Sequence, residues 1–173
     1  MHLRKLLEEK HGKEQAIRIA EFIGRSESKF AELVSFDTGE DRIHAQRGSR
    51  PIVCCADTHP DLVLPFLEDL LENLRRTDLH DGVKRNTMKV VAESELPASL
   101  HGLAADIAFQ LLSSPEVSVA ARVHAMTVLQ RICKVEPDLA GELRMVIEHL
   151  LPFESKPGFL SKARRVLKAL DRS

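Results

Sequence analysis

Residues 79–116 are LHDGVKRNTMKVVAESELPASLHGLAADIAFQLLSSPE. Shifted by 38 residues in either direction, its apolar positions fall on apolar positions again. Val90 aligns with Ile52 and Val128, and Val91 with Val53 and Leu129. Further along come Leu67/Ala105/Leu143, Leu70/Ala108/Val146, Leu71/Phe109/Ile147 and Leu74/Leu112/Leu150. Smaller residues coincide at Ala45/Val83/Ala121 and Ser49/Thr87/Ala125. Columns that keep one register through three copies, 41–78, 79–116 and 117–154, mark an internal repeat.

The spacing inside each copy identifies its elements. Positions 45, 49, 52, 53 and 56 follow i, i+4, i+7, i+8, i+11, one stripe of a 3.6-residue helix. Positions 67, 70, 71 and 74 form a second such stripe. Pro60, Pro97 and Pro137 fall between stripes, where a first helical turn tolerates a missing N–H. Asp41, Asp81 and Ser118 stand near the other helix starts, where a side-chain oxygen can accept free backbone N–H groups. Each copy is therefore two antiparallel helices. Gly48 and Pro51 lie inside the stretch 41–58, which predicts a helix bent or split near 50.

Working outward, residues 13–24 and 26–37 make a shorter helical pair, and 159–171 a last helix after the breaker segment 151–158. The sequence thus predicts an all-α chain, an α-α superhelix of four to five helical pairs in a single domain. Residues 1–40 form an N-terminal cap, the three repeats follow, and 155–173 supply a C-terminal capping helix. With no Trp, no Tyr and seven Phe, the composition argues against an all-β sandwich or barrel. A net charge of -1 argues against a strongly basic nucleic-acid binder. The N-terminus alternates Leu with charge rather than forming the apolar run of a secretory signal, and no segment approaches the ~20 apolar residues of a membrane span. Cys54, Cys55 and Cys133, odd in number and without framework spacing, read as reduced thiols, so a cytoplasmic protein is expected.

The helix starts Asp81-Gly82-Val83-Lys84-Arg85 and Val117-Ser118-Val119-Ala120-Ala121-Arg122, with a degraded copy at Asp41-Arg42-Ile43-His44-Ala45-Gln46-Arg47, resemble HEAT-type repeats. The resemblance covers about 41–170 and implies a helical solenoid of the armadillo/HEAT type whose second helices line a concave surface. The chain is also similar to small bacterial HEAT-like proteins, a family with no established activity. An adenylosuccinate lyase activity finds no support: such lyases are much longer, and their flexible catalytic loop containing Ser and Met has no counterpart here.

Candidate sites follow from the helix faces. Opposite the core stripe of 41–58 lie columns 47, 50, 51 and 54, so the concave face is expected to carry Arg47, Arg50, Arg85 and Lys89 beside Met88 and Met126. Basic groups with adaptable methionines suit an acidic-amphipathic peptide or helix better than a duplex. The alternatives are methionines packed against a neighbouring repeat, and Arg47, Arg85 and Arg122 pairing with carbonyls or Asp of adjacent units instead of a ligand. Glu68, Asp69 and Glu72, with Asp57 and Asp61 nearby, read as a solvated acidic face. Cys55 and His59 share an i,i+4 spacing, but no CxxC, HExxH, GxSxG or glycine-rich phosphate loop occurs, so no metal, cofactor or catalytic residue is expected. The expectation is a non-enzymatic scaffold for a protein or peptide. Nucleic-acid binding of the DNA-alkylation-repair kind and a purely structural homo-oligomer are the alternatives.

Overall fold

The computed structural model describes residues 2–172, and no described residue is in a strand. The chain divides into two compact units, one running to Leu96 and the other starting at Pro97.

The first unit contains α1 (Leu3–Glu8), α2 (Lys13–Ile23), α3 (Glu27–Asp37), α4 (Arg42–Thr58), α5 (Pro60–Val63), a 3-10 turn Leu64–Phe66, α6 (Leu67–Asn73) and α7 (Asp81–Glu93). They pair in chain order, α1 with α2, α3 with α4, and α6 with α7, while α5 packs on α4, and α4 also packs beside α2 and α7. Local chemistry sets the ends. Gly24 closes α2 at φ +54, a left-handed conformation that suits glycine. Ser26 opens α3 by accepting from the Lys29 N–H, and Asp41 opens α4 by accepting from Ile43 and His44. At α7 the cap is His80, whose Nδ1 accepts from the Gly82 N–H, and Asp81 is the first helical residue.

The second unit begins with a 3-10 turn Ala98–Leu100, followed by α8 (His101–Ser113), α9 (Val119–Cys133), α10 (Leu139–Leu150), a 3-10 turn Leu151–Phe153 and α11 (Pro157–Leu170). Here α8 pairs with α9 and α10 with α11, and α9 packs on α11 as well. Ser118 caps α9 by accepting from Ala121. Pro157 takes the first turn of α11, where its missing N–H costs nothing.

The repeat columns form the two cores. Ile52, Val90 and Val128 are all buried, as are Val53, Val91 and Leu129, and the small columns through Ala45 and Ser49. Phe109, Val146 and Leu150 are the exceptions, only half-buried because they sit at the margins of their stripes. One local expectation is corrected. α4 is not split near residue 50: it runs unbroken from Arg42 to Thr58 with Pro51 inside it. Pro51 is buried, and burying its apolar ring opposes the ~3 kcal/mol that an interior proline costs. A second departure is α1, which the sequence left without structure and which buries Leu3, Leu6 and Leu7.

Candidate functional site

The six residues expected on the open face separate into three groups. Arg50 on α4 and Arg85 on α7 are exposed, and Arg85 makes one bond, from Nε to the Asn86 Oδ1 at 3.3 Å. Lys89 and Arg47 are half-buried and engaged within the fold. Lys89 donates to Glu93 Oε2 at 2.6 Å and to Asp57 Oδ1 at 3.3 Å. Burial pushes the Lys89 ammonium down, but those two carboxylates outweigh it and hold the group above its ordinary range. Arg47 Nη1 donates to the Leu7 carbonyl at 3.0 Å, one of the α1 C-terminal acceptors that a helix leaves unpaired. Gln15 serves the same helix end, donating to Leu6 O at 2.7 Å and Leu7 O at 3.1 Å.

Met88 and Met126 are a correction. Both are completely buried and offer nothing to a partner. For Met126 the reason is visible along α9. Val119 lies against Gly158, Arg122 over the Phe159 ring, and Gln130 within reach of Lys162, so the stripe 119, 122, 126, 130 faces α11. Met88 occupies the same column 38 residues earlier and shares its burial. Periodicity found both methionines off the main core stripe, but a position off that stripe is not thereby exposed.

Arg122 resolves the same question for the helix-start arginines. It is buried, donates from Nε to the Leu112 carbonyl at the end of α8, pairs with Glu154, and lies over the Phe159 ring 4.3 Å from its centroid. Burial pushes the Glu154 carboxyl up, but the bonds from Arg122 and from the Lys156 and Ser155 N–H groups outweigh it and hold the group below its ordinary range. Arg76 plays a like part after α3, donating to Gly39 O at 2.8 Å and forking onto Asp78. Arg47, Arg76 and Arg122 thus fasten helix ends, whereas Arg85 does not.

Charge is partitioned between the helices of a pair, which the single-residue reading missed. In the first unit, the second helices α4 and α7 carry Arg42, Arg47, Arg50, Lys84, Arg85 and Lys89 against Asp57, Asp81 and Glu93. Their first helices α3, α5 and α6 carry Glu27, Glu32, Asp37, Asp61, Glu68, Asp69 and Glu72 against Lys29 alone. The second unit repeats the pattern: α9 and α11 hold Arg122, Arg131, Lys162, Arg164, Arg165 and Lys168 and no acid. Its α8 and α10 hold Asp106, Glu142 and Glu148 against Arg144. The α1/α2 pair lacks this bias, with Lys13 and Arg18 balanced by Glu14 and Glu21 on α2.

The cysteines do not form a reactive centre. Burial, with Cys54 alongside, pushes the Cys55 thiol up to about 12, and burial with Asp57 raises Cys54 as well. Among the described residues no three His, Cys, Asp or Glu side chains gather in a metal-holding group. No described helix is long and apolar enough to cross a membrane.

No curated protein and no solved structure matches the chain. A family model described as a HEAT repeat domain matches residues 3–170. That span holds every helix from α1 to α11 and all three copies of the 38-residue repeat. With its helical pairs, its buried repeat columns and a match along nearly its whole length, the chain belongs to the HEAT repeat domain family.

Proposed function

We propose that this HEAT repeat protein is a non-enzymatic scaffold that binds an acidic segment of another protein on the second helices of its pairs. The observation that carries the reading is the charge partition: cations on α4, α7, α9 and α11, carboxylates on their first-helix partners. A folded chain with net charge -1 has no general attraction for polyanions, so sorted charge favours a partner that contacts the second helices within a unit. In the first unit Arg50 and Arg85 are the exposed cations of the expected set, and Lys89 contributes less because Asp57 and Glu93 already neutralise it. The buried methionines take no part. Three free cysteines fit a reducing compartment such as the cytoplasm.

The test is a fluorescence titration with a labelled Glu- and Leu-rich amphipathic peptide beside a labelled DNA duplex. The peptide is expected to bind, and the double variant Arg50→Glu/Arg85→Glu to bind about tenfold more weakly with its melting curve unchanged. Peptide binding unaffected by the double variant removes Arg50 and Arg85 from the site. Tighter binding of the duplex, with a steep log–log salt slope, replaces the reading with nucleic-acid recognition.

A further inference from the structure

In the second unit, α11 buries Phe159, Ala163 and Val166 and turns Lys162 and Arg165, one helical turn apart, away from that stripe. Lys162 is half-buried. Its Nζ reaches the Gln130 Oε1 of α9 at 3.5 Å, and no carboxylate among the described residues lies within ion-pair distance of it. Neither α9 nor α11 contains an acidic residue that could swing into place. Half-buried Lys89, by contrast, has two carboxylates, and buried Arg122 has Glu154. Burial first, and the neighbouring Arg165 second, hold the Lys162 ammonium below its ordinary range. A cation drawn partly out of water beside a like charge, with only a neutral amide as partner, lacks a counter-charge.

We propose that Lys162 and Arg165 of α11, with the Gln130 amide of α9, form a seat for a carboxylate of the bound acidic segment. The proposal rests on the scaffold reading above and names one of its contacts. Gln130 Oε1 holds the Lys162 ammonium, which leaves the amide NH2 to donate to one carboxylate oxygen while Arg165 and Lys162 serve the other. A two-oxygen planar anion uses all three groups at once. Binding returns to Lys162 the stabilisation that burial removed, so its pKa moves back up when the seat is filled.

The experiment measures oligoglutamate binding to the full chain and to three variants, Lys162→Gln, Lys162→Arg and Lys168→Gln. Lys168 is exposed on the solvent side of α11, six residues beyond Lys162, and serves as the control for general charge. Lys162→Gln is expected to lose about tenfold in affinity and Lys162→Arg to keep most of it. Lys168→Gln is expected to change binding by less than about twofold, as an exposed charge does. On the unaltered chain, an NMR titration of the Lys162 side chain should show its midpoint moving to higher pH when oligoglutamate is present. This second measurement decides the matter even if Lys162→Gln fails to fold. Equal losses at Lys162 and Lys168, with no movement of the midpoint, overturn the seat but leave the scaffold reading standing. An unaltered chain that does not bind oligoglutamate overturns both. A DNA duplex that binds more tightly than oligoglutamate and depends equally on Lys162 overturns the carboxylate assignment.

Discussion

Asp37 ends α3 with no exposed surface and with neither carboxylate oxygen hydrogen-bonded. Burial pushes its carboxyl up to about 7, and the Arg76 charge only partly opposes that. The unfolded chain ionises the same group near 3.8, so between 3.8 and about 7 the folded state holds a proton that the unfolded state has lost. Stability from this group is therefore full below that window and declines as pH rises through it. By ~1.36 kcal/mol per unit, the loss is on the order of 4 kcal/mol. Asp37→Asn keeps the shape and removes the titration. In urea unfolding it should be more stable than the parent at about pH 8 and close to it near about pH 4; the same offset at both values rejects a buried, titrating Asp37. Arg122 makes the opposite case, a buried charge that is paired. Arg122→Ala leaves the half-buried Glu154 and the Leu112 carbonyl without their partner and should cost about 3–5 kcal/mol, read from the same unfolding curves. A loss below about 1 kcal/mol would place the pair in solvent.

At the scale of the helix, the repeat columns assign cost. Leu71 and Ile147 are fully buried in their stripes, whereas Phe109 in the same column is half-buried. Leu71→Ala and Ile147→Ala should each lose about 2–5 kcal/mol, and Phe109→Ala less than either despite the larger side chain. A Phe109→Ala loss at the top of that range would mean the column is uniform after all. This column also shows what was legible in the sequence. Period-3.6 stripes repeated three times located α4 to α10, and 21 of the 24 column positions are buried, because burying an apolar stripe is the one requirement every copy shares. Met126 escaped because α11 covers α9 on its flank as well as on its main stripe, and one helical wheel has no record of its neighbour; Met88 is buried in the same column. α1 escaped because six residues are too few to display a period; Leu3, Leu6 and Leu7 are ordered by what they pack on. The unbroken course of α4 through Pro51 was beyond the sequence for the same reason, since local propensity argues for a break and tertiary burial decides against it.

Across the whole chain, 25 basic residues almost cancel 26 acidic ones, and the total hides how they are arranged. Sorting them by helix puts the cations on second helices and the acids on first helices from α3 onward. A core needs no such sorting, since the exposed sides of both helices in a pair would serve equally well for solubility. Sorted charge acts at a distance, and that gives it a kinetic signature. Screening shortens to ~3 Å at 1 M salt, so an acidic peptide should associate more slowly as salt rises while its dissociation rate changes much less. Charge reversal separates the two rows. Arg50→Glu/Arg85→Glu should reduce the association rate at low salt and flatten its salt dependence, because steering is what these exposed groups supply. Glu68→Lys/Glu72→Lys, on the exposed side of α6, alters net charge by the same amount in the opposite sense. If only net charge matters, this second pair should accelerate association as much as the first slows it. If the second helices of the first unit receive the peptide, the α6 pair should have the smaller effect of the two. Stopped-flow association rates across a salt series would distinguish these outcomes, and equal and opposite effects would mean that the sorting of charge between helices has no part in binding.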